Sequence, residues 1–312
     1  MKRFRVSNIK LLVNSSERNL AWCVSHAQVP RPLFIGDKIV VYFATRGVAD
    51  KAGNYASSIG SVVLDINDPY TVVDFPEEPA FSPGPAHSFF EHGVMPGHVS
   101  LRDNTVEMLF TGWSRRAGKY PYQTWIGSVA SYDMGKTFEL ETAKKIISKR
   151  KNNKFLSNGP NVFNNRETGE KFLIYASGDK WVNRDGRWES IYSLKVSAMS
   201  NLETHKKLTG YDATICENAP FVFASENENH IMFSMRPSLD FRGSNGYHLY
   251  TAKFDGTIAS KVEPIIFDDL DDWCDVMQCY ASVIEIKKRN YILFNGNYFG
   301  RDGFGIGEFK IV

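Results

Sequence analysis

Apolar and polar positions alternate in short runs along the whole chain, and the runs end at Gly, Asn or Asp. Lys38–Arg46 and His230–Arg236 are dominated by β-branched and aromatic residues with a period of two. That is the pattern of a strand with one buried face. Segments rich in Ala, Leu, Glu and Lys at helical spacing are scarce. The pattern predicts an all-β chain.

The runs also repeat. Val41–Arg46, Met108–Trp113, Leu173–Gly178, Ile231–Arg236 and Ile292–Asn297 each read as apolar residues, a small or polar pair, and a residue of special chemistry. Each follows another apolar run, opening at Pro32, Pro96, Pro160, Pro220 or Ala281, across a hairpin turn such as Gly36–Lys38 or Arg102–Asn104. A third strand follows in every unit, at Ile59, Ile126, Tyr192, Tyr247 and Phe304. The five opening marks are separated by 64, 64, 60 and 61 residues. A period of that size holding three or four antiparallel strands is a propeller blade, and radial repetition protects the strand edges. The expectation is one five-bladed β-propeller over residues 1–312, with blades near 20–80, 81–150, 151–210, 211–270 and 271–312 plus 1–10. Because Val312 falls just after the third strand of the fifth unit, Phe4–Ser7 is expected to supply the fourth strand and close the ring.

Composition narrows the function. Lys and Arg number 37 against 35 Asp and Glu, a formal charge of +2 that gives no electrostatic reason to expect nucleic acid or an anionic membrane. No run reaches the roughly 18 apolar residues of a membrane span. The N-terminus has early charges but no apolar signal core, and a cytoplasmic location is expected. Cys23, Cys216, Cys274 and Cys279 match no zinc spacing and read as buried thiols, with a Cys274–Cys279 disulfide as the alternative. The seven His form no HExxH pattern, Gly300–Gly307 does not join a strand to a helix, and no cofactor or metal is expected.

In a propeller the innermost strands run beside a central channel, so unlike polar residues at equivalent blade positions converge on one funnel. Just before the first strands stand His26, Glu91, His92, Asn158, Glu217 and Asp275. Carboxylates in one register suit acid–base work; a rim carboxylate capping a turn or pairing with a surface Lys is the other reading of each. The ends of the second strands add Arg46, Trp113, Gly178 beside Asp179, Arg236 and Asn297. A guanidinium offers a planar fork of donors, and an indole face stacks on a sugar ring. Arg46 and Arg236 either hold such a ligand or bridge blades through ion pairs.

Glu91–His98, Phe110–Trp113, Pro121–Ser131, Asp133–Phe138, Ser25–Ala27 and Asn295–Gly305 together resemble five-bladed propeller proteins of glycosidase type. These are relatives of glycoside hydrolase families 43 and 32, many from bacterial polysaccharide gene clusters. Such hydrolases place an Asp base in the first blade and a Glu acid further round, whereas the first blade here offers Ser25 and His26. Glu217 resembles the acid that precedes a Pro in these families, offset by one residue, and Glu91 stands where related sequences often have Asp. The resemblance implies an enzyme cleaving or transferring a glycosidic bond, with Glu217 as general acid, Glu91 as base or nucleophile and Asp275 orienting or tuning them. His26, Arg46, His92, Trp113, Asn158, Asp179, Arg236 and Asn297 would then bind substrate, a carbohydrate that is anionic or nucleotide-linked. One alternative is a phosphorylase or transferase holding phosphate or a nucleotide sugar on Arg46, Arg236 and His26. The other is a glycan-binding propeller without catalysis.

Overall fold

A computed structural model describes residues 3–116, 118, 120–147, 156–165, 168–184, 186–209, 216–225, 228–236 and 246–312, without the side chains of Asp179, Arg184, Arg187 and Cys216. The chain opens with β1 (Phe4–Val13). The first blade is β2 (Ser25–Ile35), β3 (Lys38–Arg46), β4 (Ile59–Leu64) and β5 (Val72–Asp74). The second is β6 (Gly93–Arg102), β7 (Thr105–Arg115), β8 (Tyr122–Ser131) and β9 (Lys144–Lys145). The third is β10 (Ser157–Asn164), β11 (Lys171–Arg184), β12 (Arg187–Ala198) and β13 (Lys206–Lys207). The fourth is β14 (Cys216–Ser225), β15 (Glu228–Arg236), β16 (His248–Lys253) and β17 (Glu263–Pro264). β18 (Ile266–Phe267), β19 (Cys279–Ile286), β20 (Arg289–Asn295) and β21 (Phe304–Ile311) belong to the fifth.

Each of the first four sheets is an antiparallel meander in chain order. Tight turns at the hairpins set this topology. Asp103 and Asn104 have φ of 46° and 67°, and Lys287 and Lys288 have 49° and 65°, the paired left-handed conformation that matches strand twist. In the fifth sheet β1 pairs antiparallel with β21, Phe4 opposite Ile311 and Val6 opposite Phe309. The first strand of the chain is therefore the fourth of the last blade, and the propeller ring is closed by its own N-terminus.

The core repeats with the blades. Phe43, Phe110, Tyr175, Phe233 and Phe294 occupy one position on the five second strands, and all are 0% exposed. A buried ring at each blade packs the wedge between neighbouring sheets. Cys23, Cys274 and Cys279 are buried free thiols, so the disulfide alternative for Cys274 and Cys279 falls away. Among the described residues no helix is long and apolar enough to cross a membrane.

One irregularity recurs in every blade and builds the centre. The innermost strands β2, β6, β10, β14 and β19 all lose register near their middle, around Val29, Gly97, Gly159, Ala219 and Tyr280. Val29, Gly159, Ala219 and Tyr280 have φ of 57°, 60°, 48° and 54°. A left-handed conformation at a β-branched residue such as Val29 is strained and persists only where its surroundings hold it. They do so across blades. Gly159 donates its N–H to Thr111 Oγ1 at 3.0 Å, Tyr280 to Ser234 Oγ at 2.8 Å and Val29 to Asn295 Oδ1 at 2.8 Å. Thr111, Ser234 and Asn295 share one position on their second strands, and each holds the bulge of the next blade.

Candidate functional site

The bulges turn backbone and side chains toward a central cavity of about 420 Å³, within the range of small-ligand sites. Three amides line it from equivalent places: Gln28, Asn158 and Asn218 each precede a left-handed residue and a proline. Asn158 Oδ1 is buried without a hydrogen-bond partner among the described residues, and Asn218 Oδ1 accepts from the Ala219 N–H at 2.8 Å. Trp113, Trp188 and Tyr280 give the wall aromatic faces. Trp113 is fixed by its Nε1–H, which donates to Ser57 Oγ at 2.7 Å.

Two guanidiniums enter the cavity from the ends of β3 and β15. Arg236 is buried and pairs with Glu189 at 3.7 Å. Arg46 differs: among the described residues it makes no ion pair and no side-chain hydrogen bond. Burial holds its pKa below the usual guanidinium value, against the opposite effect of Tyr280 and Tyr55. Arg46 also lines a side cleft of about 280 Å³ formed with Tyr55 and Arg115, so Gln28, Arg46, Met95 and Trp113 face both spaces.

The carboxylates assigned from sequence lie outside this lining. Glu217 is fully buried, and its neighbour Asn218 takes the cavity position, because successive strand residues face opposite ways. Glu91 accepts from the His87 N–H and lies 3.1 Å from His92 Nδ1, in the turn before β6. Asp275 accepts from Asn297 Nδ2 at 2.7 Å. Asn297 itself is a loop clamp: its Oδ1 accepts from the Val276 and Met277 N–H groups, and its Nδ2 also donates to the Asp272 carbonyl. These carboxylates cap turns or sit in the sheet interior.

His92 is outside the lining too, and its Nδ1 also accepts from the Arg115 N–H at 3.3 Å. His26 is buried against Ser25, with its Nδ1 2.9 Å from Ser25 Oγ. Burial, then the charges of Arg46 and Arg301, push its pKa down to about 3, so it is neutral at physiological pH. The Asp179 side chain lies outside the described residues. Of the residues assigned from sequence, Arg46, Trp113, Asn158 and Arg236 meet at the cavity.

The cavity carboxylate that the sequence reading missed is Glu189. The motif suggests a second strand ending at Gly178, but β11 continues to Arg184 and pairs with β12 as a long hairpin, Val182 opposite Glu189. Its overhang carries Trp188, Glu189 and Ser190 to the cavity. The sequence gives no signal for this extension, because Ser177-Gly178-Asp179 itself reads as a turn. Among the described lining residues Glu189 is the one carboxylate.

Comparison with known proteins agrees with this architecture. No family model matches the chain. An uncharacterized protein of Mycobacterium tuberculosis strain H37Rv, Rv1502, is 27% identical over 92% of this chain and 93% of its own length. Among solved structures, a glycosyl hydrolase from Bacteroides ovatus aligns with a TM-score of 0.64 at 11% identity, covering 97% of this chain and 89% of that one. A thermostable family-43 glycoside hydrolase aligns with a TM-score of 0.57 at 13% identity, covering 94% and 91%. The chain thus shares the five-bladed fold of glycoside hydrolases.

Proposed function

We propose that this glycosidase-like propeller is carbohydrate-active: its central cavity holds a glycan with an anionic group, and it acts at the glycosidic bond with Glu189 as base. The anionic group is a phosphate, a nucleotide diphosphate or a sugar carboxylate. The observation that carries the reading is Arg46, a guanidinium without an acidic partner among the described residues, set between aromatic and amide walls. Such a fork grips two oxygens of a phosphate or carboxylate.

The chemistry follows from what the lining supplies. Glu189, held 3.7 Å from Arg236, accepts a proton from an attacking water or acceptor hydroxyl. Gln28, Asn158 and Asn218 donate and accept hydrogen bonds to sugar hydroxyls but transfer no proton at neutral pH. A phosphate leaving group needs no proton, so one carboxylate suffices for transfer from a phosphorylated donor. The pocket fits that better than hydrolysis by paired carboxylates.

The same three amides favour a second reading, a glycan-binding propeller without turnover. Screening neutral glycosides, uronides and sugar phosphates, with and without phosphate, separates the two. Turnover of an anionic glycoside or sugar phosphate supports the first; tight binding with every substrate inert supports the second.

A further inference from the structure

Outside the cavity lining, just past the β2 bulge along the strand, lies a charged group that the proposed function does not use. Arg31 is 1% exposed. Its Nη1 donates to the Ala281 carbonyl at 2.9 Å, and its guanidinium lies over the Phe221 ring, 5.4 Å from the centroid. Its Nε and Nη2 are buried with no hydrogen-bond partner among the described residues. Those two nitrogens form the edge of a guanidinium that clasps two-oxygen anions. Among the described residues no Asp or Glu makes an ion pair with it.

The surroundings are positive. Burial, then the charges of Arg31 and Lys171, push the pKa of His98 down to about 4, so its ring is neutral and offers a single N–H. Burial alone draws Arg31 itself down to about 9, which leaves it charged at neutral pH. A buried charge without a counter-charge is costly, and one anion on the unpaired edge offsets it. A divalent anion would leave a net negative charge in the same place.

We propose that the Nε–Nη2 edge of Arg31 binds one small monovalent anion, a halide or a planar oxyanion, at the hub of the propeller. Arg31 comes from the first blade, Ala281 from the fifth, Phe221 from the fourth and His98 from the second. The anion therefore acts as a pin between blades, at a residue that does not line the ligand cavity.

The test uses the intact protein in sodium gluconate, chloride, bromide, nitrate or sulfate at equal ionic strength. Melting temperature is expected to rise with bromide and nitrate and to saturate with their concentration, as binding to the folded state requires. Arg31→Met is expected to abolish that dependence. Crystals of the wild type grown in bromide are expected to show anomalous density beside Arg31 Nε and Nη2, a readout that stands even where the variant fails to fold. Equal melting temperatures in all salts, with no anomalous density at Arg31, would overturn the proposal. So would a rise in sulfate equal to that in nitrate, which marks a general salt effect.

Discussion

Asn295 of the last blade holds Val29 of the first: its Oδ1 accepts the Val29 N–H at 2.8 Å, and its Nδ2 donates to the carbonyl of Gly303 at 3.0 Å and to that of Ala27. The contact fixes a strained residue of the cavity wall and joins the two ends of the ring. Asn295→Ala leaves a buried N–H and two carbonyls short of partners, at about 1–3 kcal/mol for each unsatisfied group. Chemical denaturation is expected to show a loss of several kcal/mol, larger than for Ser234→Ala, which frees one N–H.

Acid should weaken the fold through two histidines. His26 and His98 have folded-state pKa values of about 3 and about 4 against an ordinary 6.5, set mainly by burial and then by Arg46 and Arg301, or Arg31 and Lys171. Between those values and 6.5 the unfolded chain binds more protons than the folded one, so stability falls as pH falls through that window. Each proton adds up to ~1.4 kcal/mol per pH unit. Melting temperature measured from pH 7 to pH 4 is expected to drop, and His98→Gln should flatten the slope if it folds. An unchanged slope would remove His98 from the account.

The architecture was legible because the blade repeat is carried by spacing. Pro32, Pro96, Pro160 and Pro220 mark equivalent strands, and the apolar pattern of Phe4–Ser7 fits the open edge at β21. The strand ends at Arg46, Trp113 and Arg236 lie at the cavity for the same reason. The carboxylates lie outside the cavity lining for other reasons: Glu91 and Asp275 sit in turns before β6 and β19, and Glu217 takes the strand face opposite Asn218. Successive strand residues face opposite ways, so Asn218 lines the cavity while Glu217 is buried beside it. The recurring Gln28-Val29-Pro30, Asn158-Gly159-Pro160 and Asn218-Ala219-Pro220 carried that information as an amide, a left-handed residue and a proline. Glu189 stayed hidden because its hairpin exceeds the common strand length, and no repeat position points to it.

Two buried or half-buried acids can be told apart by kinetics. With any substrate the screen yields, Glu189→Gln is expected to lower kcat by roughly 10²–10⁴ with little change in affinity, the usual share of general-base catalysis. Glu217→Gln, outside the lining, is expected to change stability and leave kcat within about threefold, because it touches no reacting group. The reverse order would return catalysis to Glu217.

The central claim is that Arg46 holds an anionic group of a glycan in the cavity. Titration calorimetry with an acidic glycan or sugar phosphate and its neutral counterpart, against wild type and Arg46→Ala, tests it most directly. The wild type is expected to prefer the anionic ligand. Arg46→Ala should weaken that ligand roughly ten- to a hundredfold, the worth of a charge-assisted hydrogen bond, while leaving the neutral one almost unchanged. Equal affinity of the wild type for both ligands, or equal loss of both in the variant, would contradict the account.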